Sequence, residues 1–220
     1  MHVRSASWSR PHVGKDTTKP PFRILVGALL VTLFNAIALA AWWFGRELEF
    51  AMEYGPLEQA QLFLLSVSFI LFVYEWYLAG GPEKTASGAL AMLSAAALVR
   101  EIDVKKLNGP EWYNWLAHHG LQEILFVAMT VPILWYLVRR RNHWIGLFRL
   151  LAAPAAIPLI LAGAFLSAGV YFDSRVVVGT RYLFWEELFE LNGYLFLIWS
   201  AFNHWVIVRR RFDQVGRCPA

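Results

Sequence analysis

The chain is poor in cysteine. Its 220 residues include one, Cys218, close to the C-terminus, so an intrachain disulfide and a cysteine-based metal site are both excluded. Charge is scarce as well: Asp, Glu, Lys and Arg make up 16% of the residues, against about 25% in a soluble domain. Internal repeats and low-complexity arrays are absent. So is a Gly-x-Ser-x-Gly elbow, which removes the commonest serine-nucleophile architecture. Of the six histidines, His118 and His119 fall near one end of the apolar region and His143 and His204 near the other. That distribution argues against the paired bis-histidine haems of membrane bundles.

What the chain has is hydrophobic length. Apolar residues make up 58% of it and aromatic residues 16%, and the mean hydropathy is +0.44. Several runs approach the ~20 residues that carry a helix across a ~30 Å hydrocarbon core. Continuous stretches such as LFLLSVSFILF suit helices, whereas a membrane β-barrel needs short alternating segments. The fold class expected is therefore all-α, a polytopic membrane helix bundle with six transmembrane helices. The pattern places them at about 24–45, 57–79, 86–104, 114–138, 144–171 and 182–208. Residues 1–22 read as a flexible basic cytoplasmic tail, 23–210 as the transmembrane domain and 211–220 as a cytoplasmic C-terminal tail. The first span, followed by Ala38-Leu39-Ala40, is similar to a cleavable signal peptide but is expected to stay as an uncleaved helix. Pro154 and Pro158 should bend the fifth span, and Ala91, Ala95, Gly163 and Ser167 have the spacing of close helix packing.

Orientation follows from the basic residues. With six spans, fourteen of the twenty Lys and Arg fall on the side that bears both termini, among them Arg139–Arg141 and Arg209–Arg211. The positive-inside rule then puts both termini in the cytoplasm of a bacterial-type inner membrane. The net charge of +4 therefore reports helix flanks, and no nucleic-acid partner is expected. Trp42, Trp43, Trp112, Trp115 and Trp185 would lie in the outer interfacial belt, and Trp76, Trp135, Trp144 and Trp205 in the inner one.

The acids run the other way. FWEELFELNGYLFLIWSAFNHW begins at Phe184 and carries Glu186, Glu187 and Glu190 in its first seven residues. Thirteen Leu, Ile, Phe and Val between Leu183 and Val208 favour insertion by roughly 4 to 8 kcal/mol, while three unpaired acids at mid-membrane would oppose it by roughly 8 to 10. The helix inserts only with its acids near the periplasmic surface or facing polar partners. Three other spans offer such partners at a matching depth: Glu58 and Gln61, Arg100 and Asp103 with Glu101 on another side of the same helix, and His119 with Gln122 and Glu123. Intramembrane ionisable groups mark function by default, so a polar pocket is expected at the periplasmic end.

Two chemistries fit that residue set. Carboxylates and imidazole from facing helices can hold a divalent metal such as Zn, Fe or Mn, with His119, Glu123, Glu186, Glu187, Glu190 and Glu58 as ligands. Alternatively, the pocket performs acid–base chemistry on a lipid-like or small-molecule substrate entering from the bilayer. Glu190 and His119 would then be the central catalytic pair and Arg100 the holder of an anionic group. The run EELFELNG resembles the Glu-Glu-x-x-x-Arg motif of the CAAX-processing and bacteriocin-processing membrane proteases. Leu191 stands where that motif has arginine and no Phe-x-x-x-His segment follows, so the activity is not carried over. Two other classes fit the composition. One is a non-catalytic membrane subunit or assembly factor that docks a membrane-protein partner. The other is a proton- or cation-coupled carrier, although only Ser68 and Ser200 would line its middle.

Overall fold

The computed structural model describes residues 20–45, 55–101, 121–173 and 180–215. Among these residues seven α-helices run in order: α1 Pro20–Trp43, α2 Pro56–Leu78, α3 Gly81–Glu101, α4 Leu121–Arg139, α5 Trp144–Leu151, α6 Ile157–Asp173 and α7 Thr180–Val215. Short 3-10 turns at Arg141–His143 and Pro154–Ala156 join α4 to α5 and α5 to α6. No strand occurs among the described residues. Three helical stretches, Leu25–Trp43, Pro56–Leu78 and Pro154–Phe172, are long and apolar enough to cross a membrane.

The axis of the bundle is α7, with 36 residues. From Glu190 to Leu197 every position is buried, as expected of a helix surrounded on all sides. Around it lie α1, α2 and α6, with α3 reaching it beyond α2. Helices α2 and α7 run parallel, because early residues of each meet (Gln61 with Glu187) and late residues of each meet (Glu75 with His204). Helix α3 is antiparallel to both, since its last turn meets the start of α7 and its second turn meets the end of α2. The bundle thus has an Arg100 end and a His204 end.

Sequence explains the individual faces. In α2 the buried residues are Leu57, Gln61, Leu64, Leu65, Ser68, Phe72 and Glu75, a single stripe of three- and four-residue steps. Pro56 sits in the first turn, where its missing N–H has no helical partner to lose. The chain reverses at Ala79-Gly80, and Gly81, with φ of 57°, takes the left-handed conformation that starts α3. Helix α3 buries mostly small residues, including Ser87, Gly88, Ala91 and Ser94, and so lies close against α2. Helix α1 buries little: Leu25, Leu29, Leu33 and Ile37 are all exposed apolar side chains, the surface of a helix meant for lipid.

Two features differ from the sequence expectation. The fifth span is broken rather than bent: α5 stops at Leu151 and Ala153 is extended, with ψ of 144°. The ring of Pro154 clashes with a helical residue before it, which forces Ala153 out of the helix. Pro158, in the first turn of α6, is tolerated. The packing stripe of α6 is also rotated from the expected one. Gly163 and Ser167 are exposed, and Ala162 and Gly169 are the buried small residues. Leu166, between them, packs where a Cβ on Gly193 would come within 2.6 Å of its Cγ.

Candidate functional site

At the Arg100 end, polar side chains from four helices meet. Gln61, fully buried in α2, donates from Nε2 to Glu187 Oε2 at 2.7 Å and to the Glu187 carbonyl at 3.1 Å. Arg100, in the last turn of α3, donates from Nη2 to Glu101 Oε1 at 3.0 Å and makes an ion pair with Glu190. Tyr194, one turn below Glu190 on α7 and 1% exposed, donates its hydroxyl to the same Glu101 oxygen at 2.7 Å. Asn35 of α1 and Asn192 of α7 exchange amide hydrogen bonds of 2.7 and 2.9 Å.

Glu190 is enclosed from two sides. Arg100 approaches from α3, and on the other side Gly169 of α6 is so close that a Cβ there would sit 2.8 Å from Glu190 Cγ. The carboxylate is 6% exposed, the Arg100 side chain 39%. The cation therefore reaches toward the surface while the acid stays inside. One guanidinium serves two carboxylates, which holds Glu190 oriented toward α3.

The structure brings together Arg100, Glu101, Glu187, Glu190 and Gln61; the sequence pattern had set Glu101 on another side of its helix from Arg100. Glu186 and Glu58 are half-buried at the same end. His119 lies outside the described residues, as do Asp103, Trp112 and Trp115, and the side chain of Glu123 is not among those described. The expected His119–Glu190 pairing falls outside them too. Among the described residues no group of three or more His, Cys, Asp or Glu is placed to hold a metal. Glu187 is turned to Gln61 and Glu190 to Arg100.

Sequence reasoning missed two residues here. Asn35 is the lone amide in an apolar helix, and that isolation was its signal. Tyr194 follows Glu190 by four residues, so it shares its face.

A second polar group occupies the His204 end. Glu75, fully buried, accepts from His204 Nδ1 at 2.7 Å and from Ser87 Oγ at 3.2 Å. Beside it, His143 Nδ1 meets Thr85 Oγ1 at 2.7 Å. Gln61 and Glu75 belong to one stripe of α2 and stand about 21 Å apart along its axis at 1.5 Å per residue. By sequence Glu75 and His204 each lie near the inner end of a span, where a proton pathway would need a polar residue. Their direct contact links α2 to α7.

No family model, curated protein or solved structure matches this chain.

Proposed function

We propose that the chain is a six-span inner-membrane protein with both termini in the cytoplasm. Its Arg100 end then faces the periplasm and carries acid–base chemistry on a lipid-like or small-molecule substrate. The observation that carries this reading is the ion pair between Arg100 and Glu190, a charged contact between two helices in a bundle otherwise sheathed in apolar side chains. Intramembrane charges that face the bundle interior mark substrate and proton sites.

In this reading Glu190 takes or gives the proton, with Arg100 holding its carboxylate in position. With its side chain partly exposed, Arg100 is also the group that an anionic part of a substrate reaches first. Tyr194 and Gln61 hold Glu101 and Glu187 in place from within. A metal form of the site would draw on His119, Glu123 and the acids of α7 for Zn, Fe or Mn. The acid–base form is better supported, because the oxygens of Glu187 and Glu190 are already directed at Gln61 and Arg100.

A second reading has its own support. Gln61–Glu187, Asn35–Asn192 and Tyr194–Glu101 answer one another across helices, as they would in an accessory subunit whose polar groups only fix helix register. Substitutions separate the two. In cells that lack the native chain, Glu190→Gln should reach the membrane at normal level yet leave the membrane-lipid and metabolite profile of the null strain. The paired apolar replacement Arg100→Met/Glu190→Leu should behave in the same way. Restoration of the wild-type profile by that apolar pair would overturn the acid–base reading and favour a register lock.

A further inference from the structure

The His204 end holds a feature that the Arg100 site leaves unused. A cavity of about 530 Å³ opens where α3, α5, α6 and α7 meet, within the ~300–1,000 Å³ of small-molecule sites. Its walls are largely apolar, with Phe72, Leu90, Phe148 and Leu159 among them. At the α7 wall stand Ser200 and His204, four residues apart and so on one helix face. On the α5 side Trp144, Phe148 and Leu151 line the cavity and are exposed apolar side chains. In a membrane these exposed side chains would meet lipid.

His204 is a built polar group. Its Nδ1 is committed to Glu75, which fixes the ring and leaves Nε2 as the nitrogen for a ligand. Glu83 lines the cavity, Glu75 lies directly behind His204, and neither Lys nor Arg is among the described lining residues. The described lining therefore offers no Lys or Arg to hold a phosphate or carboxylate head. A hydroxyl, which both donates and accepts, matches His204 in either tautomer and Ser200 as well.

We infer that this cavity binds an uncharged single-chain amphiphile, a long-chain alcohol, which enters from the bilayer past α5 and hydrogen-bonds His204 through its hydroxyl. The apolar groove of about 590 Å³ between α1, α2 and α7 offers a contrast, since its described lining, from Val26 to Phe202, carries no ionisable group. It would take any alkyl chain without regard to the head.

The test uses the full chain in lipid nanodiscs and two photoprobes, hexadecanol and hexadecane, each with a diazirine at the chain end. Hexadecanol should cross-link to the segments 86–90 and 144–159. Plain hexadecanol should compete and hexadecyl phosphate should not. Ala89→Trp, which fills the cavity, should lower that labelling at least about tenfold, a loss of ~1.4 kcal/mol. The double variant Glu75→Leu/His204→Phe removes the polar wall without stranding a buried carboxylate. It should weaken hexadecanol labelling about five- to tenfold, the effect of one hydrogen bond at a desolvated site, and leave hexadecane labelling unchanged. Labelling of the 26–34 segment by hexadecane reports folding in every variant. Equal loss of both probes in the double variant, competition by hexadecyl phosphate, or cross-links confined to the second groove would each overturn the assignment. Glu190→Gln should not alter the labelling, so this site stands or falls apart from the one at the Arg100 end.

Discussion

Asn35 and Asn192 show what a single polar side chain does inside this bundle. Each amide donates to the other's oxygen, and each also donates to the carbonyl one turn back in its own helix. Asn35→Leu removes the bonds between helices and leaves Asn192 with its local one. The expected loss is about 1–2 kcal/mol in reversible unfolding from detergent, and Asn35→Leu/Asn192→Leu should recover much of it. A single-variant loss that the double variant doubles would mean that the amides act separately. The same logic explains why residue-level reading of the sequence was uneven. Glu190 and Arg100 announce themselves because a charge in an apolar run demands a partner. Glu75 and His204 did not, because each lies within a few residues of a plausible interface and the alternative of solvation was always open. Only the stripe from Leu57 to Glu75, read as one face, places the Glu75 carboxylate inside.

At the level of the helix, fit at close approach decides more than propensity. Gly169 and Gly163 lie on the same helix, and substitution at the two should differ. A Cβ at Gly169 meets Glu190 Cγ at 2.8 Å, whereas nothing lies within 4 Å of one at Gly163. Gly169→Val should destabilise the α6–α7 contact by about 1–3 kcal/mol and displace the Glu190 carboxylate from Arg100. Gly163→Ala should be neutral or stabilising by up to about 1 kcal/mol. Thermal unfolding of the two variants in one detergent checks the contrast, and equal effects would refute this packing of α6. From sequence, the spacing of Gly163 and Ser167 was as good a packing signal as that of Ala162 and Gly169. Both stripes contain small residues, and sequence does not say which faces α7. The break at Pro154 was nearer to legible: the proline marks the place, and what sequence lacked was whether the chain would kink or stop.

For the whole molecule, the distribution of apolar surface follows position in the bundle. Hydropathy alone singles out stretches in α1, α2 and the Pro154–Phe172 region. Helix α7 and helix α3 hold the charged and small residues, and α7 is wrapped by its neighbours. The helical class and most helix positions were legible because long apolar runs admit little else. The count of six rests on α3 and α7, whose polar residues lower their hydropathy, and on α4, whose described apolar stretch, Val127–Arg139, is shorter. Cys218, the sole cysteine, gives a direct check of the proposed topology. A membrane-impermeant maleimide should label it in inverted membrane vesicles and leave it untouched in intact spheroplasts; labelling in intact spheroplasts would put the C-terminus outside. The central claim is that charges on separate helices are tolerated in this bundle because they pair across its interior. A double-mutant cycle on Arg100→Met and Glu190→Leu, read as unfolding free energy in nanodiscs, tests it most directly. Arg100→Met leaves the buried Glu190 without its counter-ion, while Glu190→Leu leaves a partly exposed Arg100 that keeps Glu101, so the account predicts a coupling of about 1 kcal/mol or more, with the double variant more stable than the sum of the two losses. Additivity within about 0.3–0.5 kcal/mol would contradict it.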